Sequence, residues 1–179
     1  EAALPHGINV IGIDSWATEP AFIRFIANDM EQKRSNMPAR TRALFTAHSL
    51  PQRIIDGGDP YPQELHATAT AVAKQLNISE GADWGIAWQS AGRTPEPWIG
   101  PDILAVLHEI ADTKSADGVV VSACGFVADH LEVLYDLDIE AQHLADELGL
   151  AFARTACVND DAEVMAALAQ RVVLAAQQH

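Results

Sequence analysis

One feature constrains the fold of this chain more than any other. Short apolar runs of strand length alternate with longer stretches of helical periodicity along all 179 residues. Residues 8–13, 43–47, 84–88, 119–121 and 150–154 read as strands; residues 20–37, 62–76, 101–112, 129–148 and 160–176 read as helices. In the first helix Phe22, Phe25, Ile26 and Met30 recur at helical spacing, with Pro20 suited to the first turn and Pro38 to a stop. In the last, Met165, Leu168 and Val172 fall on one predicted face. Such β-α alternation implies parallel strands, because each crossover helix returns the chain to the same end of the sheet. No repeat, low-complexity tract or linker divides the sequence. The expectation is one α/β domain over residues 1–179, a doubly wound parallel sheet flanked by helices.

Charge narrows the function classes. Eleven basic side chains against 25 acidic ones give a net charge of −14. Binding to nucleic acid or to anionic lipid draws its affinity from clustered Lys and Arg, so neither is expected as a partner. The longest uncharged apolar run, residues 118–128, is well short of the roughly 20 residues that cross a bilayer, so stable membrane insertion is not expected. Two cysteines, Cys124 and Cys157, without a CxxC spacing, build no disulfide framework and point to a reducing cytoplasm. The opening Glu1-Ala2-Ala3-Leu4-Pro5 lacks a start Met and the basic and apolar regions of a signal peptide, and is read as a cut inside a longer chain.

In open parallel sheets, ligands bind beyond the carboxyl ends of the strands. Three unusual segments follow strand runs: residues 47–51 (AHSLP), 89–98 (QSAGRTPEPW) and 124–132 (CGFVADHLE). All three are expected along one edge. His48 ends an apolar strand; it is either a hydrogen-bonded pin for the following turn or a metal ligand or general base. Glu132 has two readings as well. Asp129 and Glu132 have the spacing of a capping box, whereas Glu132, Asp136 and Glu140 at i, i+4 and i+8 share one helix face, either a solvated acidic surface, the commoner cause in so acidic a chain, or a carboxylate row for a divalent cation. Without a G-x-S-x-G elbow, neither Ser49 nor Ser90 reads as a nucleophile, and no phosphate-binding glycine motif is present. His6, His66, His108, His130 and His143 show no metal-ligand spacing, and Trp98, in a proline-rich loop, would suit a flat aromatic ligand.

Taken together, Thr46-Ala47-His48-Ser49-Leu50-Pro51, Gly58-Asp59-Pro60-Tyr61-Pro62, Trp88-Gln89-Ser90 with Pro97-Trp98-Ile99-Gly100-Pro101, and the run from Gly125 to Asp136 resemble the C-terminal half of ferrochelatases. The similarity is greatest to coproporphyrin III ferrochelatases of Gram-positive type. It implies insertion of Fe²⁺ into a porphyrin, coproporphyrin III or protoporphyrin IX, in haem biosynthesis. It also implies His48 and Glu132 as catalytic and metal-binding residues, Ser90 and Trp98 as substrate contacts, and Asp136 and Glu140 as an outer metal path that admits Mg²⁺ or another divalent ion. Iron is then a substrate, and no prosthetic group is expected. Two cysteines cannot supply the four ligands of the iron–sulfur cluster that some relatives carry. Family enzymes are about twice this long, so the expected partners are porphyrin, Fe²⁺ and an absent N-terminal half, without which the chain would turn over little or nothing. Two rival readings are a homodimeric small chelatase of sirohydrochlorin type and a non-catalytic tetrapyrrole- or metal-binding domain.

Overall fold

Strand β1 (Thr41–His48) is an internal strand of the sheet, paired on both sides and buried along nearly all of its length. The computed structural model describes residues 10–177. Helix α1 (Pro20–Arg34) precedes β1; α2 (Gln52–Asp56) and α3 (Tyr61–Leu76) lead from it to β2 (Trp84–Gln89). Helix α4 (Ile103–Thr113) then crosses to β3 (Gly118–Ser122). A composite helix follows: α5 (Leu131–Val133), a π segment (Leu134–Ala141) and α6 (Gln142–Glu147). Strand β4 (Ala151–Arg154) and α7 (Ala162–Gln177) complete the order.

The four strands are all parallel in the order β2-β1-β3-β4. The chain moves outward from β1 to β2 and then back across to β3, so the topological switch point lies between β1 and β3. That is where parallel α/β sheets open a ligand crevice. Alternation along β1 divides its side chains between two layers. Ala43 and Phe45 face a core built with Phe22, Ile26, Met30 and Val72 from α1 and α3. Leu44 faces a second core with Leu107, Ile110, Val133 and Leu137. Helices therefore cover both faces, as the alternation predicts.

The π segment has a cause in the sequence. Val133, Leu137, Ala141 and Ala145 recur at every fourth residue, and all four are fully buried. At 3.6 residues per turn such a stripe drifts about 40° per step and would leave the sheet. Widening the middle of the helix to i→i−5 hydrogen bonding holds the stripe straight. The unbroken α-helix expected over residues 129–148 is corrected in that respect.

Two other expectations are corrected. Of the run at 8–13, residues 8 and 9 lie outside the described residues, and Val10–Ile13 form no strand; Val10, Ile11 and Ile13 are exposed. An apolar run becomes a strand only where a sheet edge supplies its hydrogen bonds, and this sheet does not take it up. In α7 the inward residues are Val164, Leu168 and Arg171, while Met165 and Val172 face outward. Arg171 decides the rotation, since its guanidinium reaches Glu19 at 3.1 Å and the Ser15 carbonyl at 2.6 Å.

Candidate metal and substrate site

The three segments meet at one edge. His48 is in register with Gln89 across β1 and β2, and the amide of Gly125 donates to the Thr46 carbonyl at 3.0 Å. The loop after β2 is stitched to the turn after β1. The Ile99 amide donates to the Leu50 carbonyl (2.9 Å), the Gln52 amide to Pro97 (2.8 Å) and the Ser49 hydroxyl to Ile99 (2.7 Å). These bonds lay Trp98 beside His48, with ring centroids 6.5 Å apart, while Phe126 stands on another side at 6.4 Å. Trp98 keeps its place because its indole N–H donates to Thr94 and its ring lies over Gly92, where a β-carbon would come within 2.3 Å of it.

His48 shares the layer of Leu44 and Thr46, the layer that the composite helix covers, so its ring meets that helix at its first turn. Nε2 lies 4.0 Å from Oε1 of Glu132. On the other side of the ring, Nδ1 stands 2.5 Å from the Ser49 carbonyl. A carbonyl only accepts, so Nδ1 carries the proton and the neutral ring presents the Nε2 lone pair towards Glu132. A backbone-oriented imidazole of this kind is how proteins hold a metal-binding histidine. Behind it, burial pushes the Tyr61 phenol up, partly offset by the backbone of His48.

Glu132 is not a capping residue. The cap of α5 is His130, whose Nδ1 accepts from the Glu132 amide at 3.2 Å. Asp129 is engaged elsewhere, with Arg154 at 2.8 Å and the Asn159 side-chain amide at 2.8 Å. The Glu132 carboxylate is thereby left free, half-exposed and facing His48.

The other acidic residues take different neighbours. Asp136 Oδ2 accepts from the Ser90 hydroxyl and from Gln89 Nε2. Glu140 lines, with Asp136, Ser90 and Arg93, a cavity of about 270 Å³ at the end of β2. The row of four-residue spacings thus runs from His48 past the end of β2, and among the described residues no three His, Cys, Asp or Glu side chains converge as a ready metal cage. Ser90 reaches Asp136 because its backbone is left-handed, φ 58°. His66 and His143 pair with Glu80 and Glu147 on the surface, away from the site.

Residues not singled out from the sequence complete the site. Phe126 and Gln89 lay inside quoted segments without a role, and Arg154 read only as strand. Arg154 grips Asp138 of the π segment through Nε (2.6 Å) and Nη2 (2.9 Å), and Asp129 through Nη1. A charged residue ending an edge strand was the one available signal for it.

A histidine and a carboxylate face each other at the switch point of a parallel sheet, beside an aromatic-walled crevice, a donor pair of the kind that suits a divalent metal. A two-donor set is suited to delivery, since a closed four-ligand cage retains its ion. Residues 2–176 match the ferrochelatase family, and the chain belongs to it. It is similar to the coproporphyrin III ferrochelatase of Anoxybacillus flavithermus, 42% identical over 177 residues, covering 97% of this chain and 55% of that one. It is similar also to the ferrochelatase of Herpetosiphon aurantiacus, 45% identical over 158 residues and covering 86% and 50%. The coproporphyrin III ferrochelatase of Bacillus subtilis is 36% identical over 177 residues, covering 97% and 56%. The chain spans about half the length of these curated relatives. Among the described residues no helix is long and apolar enough to cross a membrane.

Proposed function

We propose that the full-length protein inserts Fe²⁺ into a porphyrin, and that this chain is one domain of it, carrying the metal-handling half of the active site. The names of the relatives favour coproporphyrin III over protoporphyrin IX as the substrate. Insertion exchanges one Fe²⁺ for the two inner pyrrole protons. The His48 ring, with Nδ1 turned to the Ser49 carbonyl, leaves its Nε2 lone pair free to take the first proton. Glu132, whose carboxylate stands across a 4.0 Å gap, balances the imidazolium that forms and ligates iron as it enters. Before it takes that proton the same Nε2 lone pair can ligate iron together with Glu132, and two ligands leave most of the iron's positions for the macrocycle's nitrogens; the second pyrrole proton passes to water. Trp98 and Phe126 offer flat apolar surfaces to the ring, and Ser90 a hydroxyl at its margin.

Asp136 and Glu140 extend the acidic row outward as a path for a divalent cation, with Mg²⁺ as another occupant. No prosthetic group or iron–sulfur cluster is required, and two unpaired thiols accord with a cytoplasmic setting. Val127, Leu131, Leu134, Tyr135 and Ile139 leave apolar surface exposed beside the site. The rest of the polypeptide, an N-terminal half, covers that surface and supplies the second wall of the cleft. The family match does not favour a small homodimeric chelatase or a non-catalytic binding domain.

The observation that carries this reading is the pairing of His48 Nε2 with Glu132 Oε1 at the switch point. In the full-length protein, His48→Ala and Glu132→Gln are expected to keep the fold and to lower iron insertion by at least about a hundredfold. Near-normal insertion by both folded variants would refute the assignment. The isolated chain is expected to turn over little, because one wall neither orients nor clamps a porphyrin.

A further inference from the structure

We propose that Gln89, itself held by Thr46, is the positioning residue that aims Asp136 along the cation path. The proposal rests on the function argued above for the acidic row, and it concerns residues that take no part in binding porphyrin or iron directly.

Thr46 and Gln89 are buried, at 0% and 1% exposure, yet both are polar, and both lie on the layer of the sheet covered by the composite helix. A buried amide must satisfy both of its ends. The Thr46 hydroxyl donates to Gln89 Oε1 at 2.9 Å, and Gln89 Nε2 then points at Asp136 Oδ2, 3.4 Å away. The reverse orientation would set Oε1 against a carboxylate, so Asp136 admits only one, and the Thr46 hydroxyl donates to suit it. Ser90, held left-handed at the next position, donates to the same Oδ2. Both donors are therefore spent on one oxygen. Oδ1 accepts no side-chain hydrogen bond among the described residues, on a residue that lines the 270 Å³ cavity with Glu140.

Position in the sheet ties this relay to the metal site. Thr46 lies two residues before His48 on the same face of β1, and Gln89 is the register partner of His48 on β2. A single rigid strand pair thus sets both His48 and the carboxylate that follows Glu132 along the helix. Groups that orient a metal-handling side chain typically contribute 10- to 100-fold to metal affinity.

The test uses the full-length protein and the variants Gln89→Leu, Thr46→Val and Thr46→Ser. Two readouts are needed: the KM for Fe²⁺ against that for porphyrin, and the Kd for Mn²⁺ measured by electron paramagnetic resonance without porphyrin. Gln89→Leu and Thr46→Val are expected to raise the Fe²⁺ KM and the Mn²⁺ Kd roughly tenfold, leaving the porphyrin KM within about twofold, and Thr46→Ser to restore both. The Mn²⁺ arm stands even if the protein proves not to insert iron, so the two readings fail separately. The proposal is overturned if the folded variants bind Mn²⁺ as the parent does, if both KM values move together with thermal stability, or if the parent binds no Mn²⁺. Should Gln89→Leu not fold, the Thr46 pair decides the question by the same criteria.

Discussion

Gly125 lies against Ala47 so closely that a β-carbon on it would stand 2.3 Å from the Ala47 Cβ and 2.8 Å from its Cα. The loop after β3 is thereby pressed onto β1 one residue before His48, and the helix carrying Glu132 begins six residues further on. Backbone cannot yield as a flexible side chain would. Gly125→Ala is therefore expected to cost about 3 kcal/mol of stability, at the upper end of overpacking effects, and to widen the His48–Glu132 gap. Denaturant unfolding measures the first effect and a crystal structure of the variant the second. Wild-type stability would show that the loop docks elsewhere.

The Ser49 carbonyl dictates the His48 tautomer. Neutral His48 is expected to carry its proton on Nδ1 and leave Nε2 bare, visible as two widely separated ring ¹⁵N shifts in long-range proton–nitrogen spectra at pH 8. A proton found on Nε2 would remove the lone pair that faces Glu132 and with it the proton-acceptor role.

Arg154 is expected to be the main electrostatic anchor of the composite helix. Burial raises the Asp129 carboxyl, but hydrogen bonds from Asn159 and Arg154 outweigh it and hold the group below the usual carboxylate range. The unfolded chain then protonates Asp129 first as the pH drops. Its contribution is complete above the ordinary value of about 4 and is lost as the pH falls through the lower folded value. Arg154→Met should cost about 2 kcal/mol at pH 7 and flatten the acid limb of the stability profile. An unchanged acid limb would show that Asp129 gains nothing from the guanidinium.

Both thiols are expected to be inert in the native protein. Burial pushes Cys124 and Cys157 up to about 12, against an ordinary value near 8.5, so neither is a thiolate at neutral pH. Because the folded state holds these protons longer, this contribution is full below about pH 8.5 and declines as the pH rises towards 12. Iodoacetamide at pH 8 should label neither cysteine until denaturant is added. Fast labelling of native Cys124 would place a reactive thiol beside Gly125.

The sheet was legible because parallel strands buried on both faces must be apolar throughout, and Val119-Val120-Val121 or Leu44-Phe45 can be little else. The π segment was not read from the sequence: Val133, Leu137, Ala141 and Ala145 keep a spacing of four, which drifts about 40° per step on an α-helix and passes for an ordinary helical stripe over one or two turns. Local patterns fail where two local solutions are equally good. The spacing of Asp129 and Glu132 admitted a capping box as well as an acidic helix face; residue 154, 25 positions on from Asp129, took Asp129 out of the cap.

By itself the sequence determined the alternating elements, the parallel sheet and the gathering of His48, the 89–98 loop and Gly125 at one edge, because strand polarity puts every post-strand segment at the same end. Tertiary structure alone decided which groups meet there. The approach of Glu132 to His48, the grip of Arg154 on Asp138, and the wiring of Asp136 to Gln89 each join side chains from different elements. The physical reason is range: hydrophobic periodicity is written residue by residue, whereas a hydrogen bond of about 3 Å depends on how two layers finally pack.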